Sequence, residues 1–234
     1  DLDDEEKINW KSLSKNPNAI DLLKNNKDKI NWYELSKNPN AIDLLKDQIE
    51  YEETLTEGEF DDLDDEEKIS REELSQNLNA IDLLEEYPDE IAWYSLSKNP
   101  NAIKLLKDNK HKIDWEFLSG NPNAIELLRE RIVFEHKLTG IEYKNLEFHG
   151  KISWSLLSKN PNAIDLLKNN KDKINWNELS LNPNAIELLR ERIEYEYENK
   201  LSKSFKSSKS SKSIVDPNVL NVINWEKLSK NPNA

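Results

Sequence analysis

Three histidines and a serine that returns at regular intervals are the residues in this 234-residue sequence best suited to metal binding, acid–base or nucleophilic chemistry. The histidines, His111, His136 and His149, stand in three unrelated sequence contexts. No two of them are spaced to share one helix face, and none lies in a His-Glu-x-x-His motif. We therefore predict neither a metal centre nor a histidine base.

The serine lies in every copy of one motif, whereas a nucleophile is needed only once. We interpret it as a capping or turn residue. The absence of Cys excludes a disulfide scaffold, a catalytic thiol and a thiolate zinc site, and four scattered Gly leave no phosphate-binding loop. The sequence predicts no catalytic residue and no cofactor. The recurring serines are Ser14, Ser36, Ser75, Ser97, Ser119, Ser158, Ser180 and Ser229.

Two charged segments could bind ligands of opposite sign. The string DLDDEEKI, at 1–8 and 62–69, resembles part of a calcium loop but lacks its central Gly and distal Glu. Residues 50–67 form either a solvated acidic insertion or a surface for a basic partner. Residues 200–213 are rich in Lys and Ser and read as a flexible tether that could contact phosphate. The net charge of −13 argues against nucleic acid as the main ligand.

These residues are set in a repeat, W-x-x-L-S-x-N-P-N-A-I-x-L-L, whose eight copies start near 10, 32, 71, 93, 115, 154, 176 and 225. All seven Trp begin a copy, and Arg71 takes their place in the third. The 22-residue unit is interrupted by insertions at about 47–68, 131–151 and 192–222. Such a period predicts a single solenoid over 1–234. Because residue 234 falls inside a motif, we expect a segment of a longer chain.

Each unit is predicted to form two short helices, giving an all-α solenoid. The residue before the Trp site is usually Asn, Ser or Asp, which caps a helix beginning at the Trp. Ser70 and Glu73 form a candidate capping box. In Asn-Pro-Asn, as at 16–18, we expect Asn to cap the second helix and Pro to occupy its first position.

The alternative fold is a leucine-rich-repeat-like solenoid, because 22 residues is within its range and Leu-Ser-x-Asn imitates its turn. That fold needs an apolar residue directly after each Trp site. Six of the eight copies have a charged or small polar residue there, which a buried strand would not accept. Helix pairs are the favoured interpretation.

The Trp residues are predicted to form the structural core, because Trp at helical spacing from Leu is most often buried. They are Trp10, Trp32, Trp93, Trp115, Trp154, Trp176 and Trp225. Arg71 should mark a weak joint unless its guanidinium stacks or pairs with a carboxylate of the insertion. Apolar residues that replace polar ones in single copies form either a partner-binding strip or packing beneath the insertions. They are Tyr33, Tyr94, Phe117, Leu156 and Leu181.

The motif, with its Lys-Ile-Asn-Trp links, resembles the Asn-Pro-Asn-Ala-Ile repeats of proteins from giant nucleocytoplasmic DNA viruses of the mimivirus and chlorovirus kind. The resemblance covers all eight copies, with Arg71 and Leu78 as departures. It implies a viral origin, located in host cytoplasm or the virion, but no activity. The sequence has no recognisable secretion signal and no apolar run long enough to span a membrane.

The predicted function is a non-enzymatic repeat scaffold for protein–protein interaction, with a host or viral protein as partner. One alternative is a structural, capsid-associated virion component that self-associates. A second is nucleic-acid contact through the Lys/Ser tether. No membrane partner is expected.

Overall fold

The computed structural model describes residues 8–207 and 223–233, and every regular element within those ranges is helical. The all-α prediction is therefore confirmed, and the leucine-rich-repeat alternative is excluded because the described ranges contain no strand. The chain divides into two compact units, Asp1–Asp114 and Trp115–Ala234. Each unit is a stack of four motif copies, which makes this an all-α repeat protein.

The first unit holds nine α-helices and three short 3-10 turns in its described residues. The helices are α1 (Trp10–Ser14), α2 (Ile20–Lys24), α3 (Trp32–Leu35), α4 (Ile42–Thr54), α5 (Glu57–Asp61), α6 (Arg71–Gln76), α7 (Ile81–Glu86), α8 (Trp93–Leu96) and α9 (Ile103–Asp108). The 3-10 turns are Lys27–Lys29, Pro88–Glu90 and Lys110–Lys112.

The second unit has the same plan. Its described helices are α10 (Trp115–Leu118), α11 (Ile125–Lys137), α12 (Gly140–Asn145), α13 (Trp154–Lys159), α14 (Ile164–Lys168), α15 (Trp176–Leu179), α16 (Ile186–Ser207) and α17 (Trp225–Leu228). Its 3-10 turns are Phe148–Gly150 and Lys171–Lys173.

The first helix of each repeat begins at the Trp site, as predicted. Asn31 accepts the Glu34 N–H at 2.9 Å, and Ser153 accepts the Leu156 N–H at 3.4 Å, so the cap satisfies one unpaired amide of the first turn. Ala92 has no capping side chain. The capping side chains are those of Asn9, Asn31, Ser70, Ser153, Asn175 and Asn224.

The second helix begins three residues later than expected. α2 starts at Ile20 with Ala19 in the cap position, so the prediction that Asn caps it and Pro opens it is wrong. Asn16 to Ala19 instead form a turn closed by the Ala19 N–H to the Asn16 carbonyl at 3.0 Å, with Pro17 at its second position. Asn16 Oδ1 accepts the Asn18 N–H at 3.0 Å within this turn. In the second repeat Asn38 Oδ1 does the same for Asn40, which leaves Asn38 Nδ2 to donate to the preceding repeat.

The predicted capping box at Ser70 is also wrong in its second half. Ser70 Oγ accepts the Glu73 N–H at 3.3 Å, but the Ser70 N–H donates to Ser36 Oγ at 3.1 Å. The amide that Glu73 would have satisfied is already paired with the preceding repeat. Complete capping boxes occur within the insertions, at Thr56–Glu59 and Thr139–Glu142.

The deepest residues of both units are Leu and Ala rather than Trp. The motif leucines Leu35, Leu96 and Leu157 and the alanine Ala102 have no solvent exposure. Trp32 and Trp115 are buried, and the side chain of Trp225 is outside the described set. Trp10, Trp93, Trp154 and Trp176 are half-buried. The motif leucines therefore fill the centre of each stack, and the half-buried tryptophans lie nearer its surface.

The insertions lengthen the second helix of a repeat instead of separating repeats. α4 and α11 each run for 13 residues, compared with 5 in α2, and a short extra helix follows each of them. α16 runs to Ser207, so residues 200–207 of the predicted tether are helical. Residues 208–213 of the tether lie outside the described residues.

Candidate interaction surfaces

The motif serine joins each repeat to the next. Ser36 Oγ donates to the Trp32 carbonyl at 2.9 Å and accepts the Ser70 N–H at 3.1 Å. Ser14 makes the same pair of bonds, to the Trp10 carbonyl at 2.8 Å and from the Asn31 N–H at 3.1 Å. Because the proton and a lone pair of the hydroxyl are both engaged in this way, the serine links two repeats. This supports a structural role for the recurring serine.

The first asparagine of Asn-Pro-Asn completes the junction. Asn38 Nδ2 donates to the carbonyls of Ser14 at 2.9 Å and Asn16 at 3.1 Å, both in the preceding repeat. The second asparagine, Asn40, donates to the Pro17 carbonyl at 3.0 Å. The equivalents of Asn38 that make these bonds are Asn77, Asn99, Asn160, Asn182 and Asn231.

This Ser–Asn ladder, formed by the Ser and Asn four and six positions after each Trp site, was missed by the sequence reasoning. The signal was present, because both residues are retained even in the copy that has lost Trp and Pro. An unpaired buried carbonyl is costly, and the asparagine amide satisfies two at once. The hydrogen bonds of the ladder thus engage the polar groups of the motif inside the stack.

A second ladder lies nearer the surface. Glu34 is buried and accepts bonds from Lys37 at 3.0 Å and, in the preceding repeat, from Lys15 at 3.1 Å. Burial raises the pKa of Glu34, but the two ammonium groups more than offset it and the pKa lies below its ordinary value. Glu178 is likewise paired with a lysine of the preceding repeat, Lys159 at 2.9 Å, but its second partner is Lys227 of the following repeat, also at 2.9 Å. These bonds lower the pKa of Glu178.

Two residues of the predicted strip lie on the outside of the first unit. Tyr33 and Tyr94 are exposed, and each ring has a lysine ammonium over it, Lys37 at 4.5 Å and Lys98 at 5.3 Å. The Tyr33 hydroxyl donates to Glu73 at 3.3 Å. Both rings are therefore partly accessible to solvent and are each in contact with a lysine ammonium group.

The other strip residues, Phe117, Leu156 and Leu181, are half-buried in the second unit. Phe117 and Leu156 occupy the ladder position that holds Glu34 in the second repeat. Gly120 occupies the position that holds Lys37 in the second repeat. A Cβ placed on Gly120 would lie 3.8 Å from the Leu156 Cβ, so Leu156 packs directly beside this position. Here an apolar contact replaces the ion pair. Whether any strip residue binds a partner stays a prediction.

Each described insertion returns to the stack through a carboxylate on the lengthened helix. Glu52 accepts the Ile69 N–H at 2.8 Å, and Gln48 donates to the Glu67 carbonyl at 3.2 Å. In two links without an insertion that isoleucine amide is paired within a 3-10 turn, Ile30 with the Lys27 carbonyl and Ile91 with the Pro88 carbonyl, both at 3.3 Å. Burial raises the pKa of Glu52, although its hydrogen bonds partly oppose this.

The second insertion uses the same anchor with an arginine added. Glu135 is buried and accepts the Ile152 N–H at 2.8 Å, and burial raises its pKa. Arg131 lies 3.4 Å from Glu135, donates to the Gly150 carbonyl, and stacks on Trp115 at 4.9 Å. The returning chain therefore covers Trp115, as the Glu66 carbonyl, bonded to the Trp32 N–H at 2.7 Å, covers Trp32.

The third insertion begins with the same side chains. Arg192 pairs with Glu196 at 2.6 Å and stacks on Trp176 at 5.1 Å. A cavity of about 470 Å³ opens beside Trp176, Arg192 and Tyr195, at the place where the other two insertions return. Residues 208–222 lie outside the described residues.

Large exposed apolar side chains concentrate on the insertions in the second unit, whereas in the described part of the first unit only Tyr51 among them lies on the insertion. In the described part of the second unit every such residue belongs to α11, α12, α16 or the turn Phe148–Gly150. Ile141 and Phe148 are each 73% exposed, far more than the strip residue Tyr33 at 38%. The members are Val133, Phe134, Ile141, Phe148, Tyr195 and Tyr197. Sequence reasoning missed this surface because it sought variation within the motif.

The remaining candidate residues do not converge. Within the described ranges no three His, Asp or Glu side chains are placed to hold a metal ion. His149 is exposed and lies 3.2 Å from Glu147, while His111 and His136 are exposed elsewhere. None of the helices described here combines the length and apolar character needed to cross a bilayer.

Comparison with protein-family models, with curated proteins and with solved structures gives no match. The class of protein is therefore defined by the fold alone, as an all-α repeat protein with lengthened, surface-projecting helices.

Proposed function

We propose that this chain is a non-enzymatic scaffold for protein–protein interaction, encoded by a giant nucleocytoplasmic DNA virus, in which the repeats build a frame and the insertions bind a host or viral protein. The observation that carries the proposal is that the motif and the insertions differ in which side chains they leave exposed. The Ser–Asn ladder engages the polar groups of the motif inside the stack, whereas the insertions expose Ile141 and Phe148.

The chemistry of the insertion surface supports a protein partner. Exposed aromatic residues held on an anchored helix give large contact area at low entropic cost, which is typical of interaction sites. Phe134 lies on Arg131 at 4.6 Å, and Arg131 is itself held by Glu135 and Trp115. This ring is consequently presented by a pre-ordered group of side chains.

The test is quantitative affinity capture from infected-cell lysate with the full chain as bait. The variant Ile141→Ser/Phe148→Ser should lose a stoichiometric partner that the unaltered chain retains. Circular dichroism and thermal unfolding would establish that the variant stays folded, since both side chains are exposed.

A matched variant, Tyr33→Ser/Tyr94→Ser, separates the insertion surface from the predicted strip. Loss of the partner only with Tyr33 and Tyr94 replaced would move the contact to the strip. Capture of no stoichiometric protein, or capture unchanged by both variants, would contradict the proposal.

A structural virion component that self-associates stays a prediction, and a mass above 27.4 kDa for the purified chain in solution would favour it. Nucleic-acid contact through residues 200–213 stays a prediction, and deletion of that segment should abolish salt-sensitive binding if it holds.

A further inference from the structure

The lengthened helix of each unit forms a groove with the second helix of the next repeat. In the first unit these helices are α4 and α7, and in the second unit they are α11 and α14. Trp115 follows Trp32 by 83 positions, and Trp154 follows Arg71 by the same number. The two grooves can therefore be compared residue by residue.

In the first unit a tyrosine of the chain itself occupies this place. Tyr87 follows α7, is half-buried, and donates its hydroxyl to Glu50 of α4 at 3.2 Å. Lys46 of α4 lies 5.9 Å from the centre of the Tyr87 ring and pairs with Glu86 at 2.6 Å. The occupant is thus an aromatic side chain that directly follows a carboxylate, and both are contacted by one cation of the lengthened helix.

In the second unit the corresponding place is open. Asn170 stands where the first unit has Tyr87, and its Nδ2 donates back to the Leu166 carbonyl at 2.8 Å. A cavity of about 220 Å³ lies between α11 and α14. Ile132 and Leu166 line it and are only 5% and 3% exposed, while Val133 is 48% exposed. The cavity is smaller than the roughly 300 Å³ at which small-molecule pockets begin, so it suits a single side chain.

The charges around the open groove differ in the same direction. The cation is kept, because Arg129 takes the place of Lys46. Arg129 lies 3.8 Å from Glu126 of its own helix, a longer ion pair than that between Lys46 and Glu86. Three carboxylates of the first unit have non-acidic counterparts in the second. Glu50, Glu53 and Glu86 correspond to Val133, His136 and Asn169.

We propose that the open groove of the second unit binds a phenylalanine of a partner protein that directly follows an acidic residue. The ring packs on the apolar lining of the groove, and the acidic side chain pairs with Arg129. Glu86 and Tyr87 supply the same pair of groups in the first unit. Phenylalanine is preferred to tyrosine because Val133 replaces Glu50, the acceptor of the phenolic hydroxyl.

This inference deepens the proposed function and rests on it, because Val133 belongs both to the groove and to the exposed apolar surface of the insertion. It adds the chemistry by which the partner is recognised.

The test is a titration of the full chain with the peptide acetyl-Ala-Glu-Phe-Ala-amide, followed in ¹⁵N–¹H correlation spectra. Shifts are expected at the amides of residues 129–136 and 166–170, and not at residues 46–53 or 83–87. The peptide acetyl-Ala-Glu-Ala-Ala-amide lacks the ring and should bind about tenfold more weakly. The peptide acetyl-Ala-Lys-Phe-Ala-amide reverses the charge and should bind about fivefold more weakly.

Two variants restore features of the first unit's groove. Asn170→Tyr supplies the ring and should weaken peptide binding about tenfold. The backbone suits this change, because the Lys173 N–H bonds to the Asn170 carbonyl at 2.9 Å as the Glu90 N–H does to the Tyr87 carbonyl at 3.1 Å. Val133→Glu adds a carboxylate at an exposed position and should weaken binding about fivefold while thermal unfolding is unchanged.

Two further variants test the role of charge. Arg129→Gln should remove the preference for the Glu-Phe peptide over the Lys-Phe peptide. Tyr87→Asn empties the place in the first unit but keeps Glu50, and should add no second binding site. Shifts that appear at residues 83–87 of that variant with equal affinity would overturn the part assigned to charge.

The proposal is overturned if no groove amide shifts, if the Phe and Ala peptides bind equally, or if Asn170→Tyr binds as the unaltered chain does. Equal affinity for 3-phenylpropionate would overturn the assignment to a protein segment. The groove and the proposed function can fail separately. Lysate capture of the same partner by Asn170→Tyr would overturn the groove alone, and capture of no partner by a chain that binds the peptide would contradict the proposed function.

Discussion

Asn77 Nδ2 donates to the Ser36 carbonyl at 3.0 Å across 41 positions of sequence, and Asn99 makes the equivalent bond to the Ser75 carbonyl at 3.0 Å across only 24. The junction geometry is therefore independent of whether an insertion lies between two repeats. The ladder sets the register, and the insertion is accommodated outside it. This explains how the chain tolerates 17 extra residues without interrupting the stack.

Replacing Asn77 by Ala should destabilise the first unit by about 2–4 kcal/mol, because two buried carbonyls lose their donor. Urea unfolding followed by circular dichroism measures the loss. Asn25→Ala is the matched control, since the Asn25 amide donates to the Asp21 carbonyl at an exposed helix end. An equal effect of the two substitutions would contradict a special role for the ladder.

We expect Arg71 and Glu90 to be energetically coupled, because they occupy the positions that Trp93 and Lys112 hold in the fourth repeat. Arg71 donates to both oxygens of Glu90, at 3.1 and 3.2 Å, whereas the corresponding pair in the fourth repeat is Lys112 over the Trp93 ring at 4.7 Å. Arg71→Trp leaves Glu90, which is mostly buried, without its cation. We expect each of Arg71→Trp and Glu90→Lys to destabilise, and the double variant to recover stability.

The measurement is a double-mutant cycle in urea, with an expected coupling of about 1 kcal/mol between the two sites. Additive effects would mean that the two residues are not paired in solution. The cycle also tests the sequence-based expectation that the stack is weak at Arg71, because pairing with the Glu90 carboxylate would offset the loss of the tryptophan.

The pH dependence of stability should have two components of opposite sign. The pKa of Glu34 and that of Glu178 lie below 4.5, so their contribution is present above pH 4.5 and is lost as pH falls further. The pKa of Glu52 and that of Glu135 lie above 4.5, so their contribution is present below 4.5 and is lost as pH rises through the raised values.

Glu135→Gln should flatten the upper part of the profile, because the amide oxygen can still accept the Ile152 N–H without a charge. Glu34→Gln should flatten only the part below pH 4.5. Unfolding free energies measured at half-unit steps from pH 3 to 7 would separate the two. A profile altered in the same window by both substitutions would show that the assignments are incorrect.

Gly120→Ala should stabilise the second unit by about 0.4–1 kcal/mol through lower entropy of the unfolded chain. The backbone of Gly120 is outside the left-handed region, and the added methyl would make ordinary contact with Leu156 at 3.8 Å. Thermal unfolding measures the gain, with Gly120→Leu as a comparison whose longer side chain should collide with Leu156. A loss of stability in Gly120→Ala would contradict the free space that the structure shows beside Gly120.

The sequence predicted the helices well because their signals are local. Asn31 and Ser153 cap their helices as expected, since a capping bond spans three residues and depends on little else. Asn25 and Asn26 close α2 through similarly local bonds, donating to the Asp21 and Leu22 carbonyls. The carboxylate that pairs with Arg71 was expected on the insertion, but it belongs to Glu90, in the 3-10 turn before the fourth repeat.

The sequence by itself determined the repeat and the all-α class, because periodicity and capping act within one unit. It predicted a tryptophan core, whereas in the structure the motif leucines lie deepest. Only the tertiary structure decided what the Ser and Asn of the motif do, because their partners lie 17 to 51 positions away in neighbouring repeats. The same holds for Glu135, which becomes an anchor only when the chain returns to place Ile152 beside it. The recurrence of Ser and Asn marks the positions that matter but does not say which groups they bond to, so their partners emerge only when the repeats are stacked.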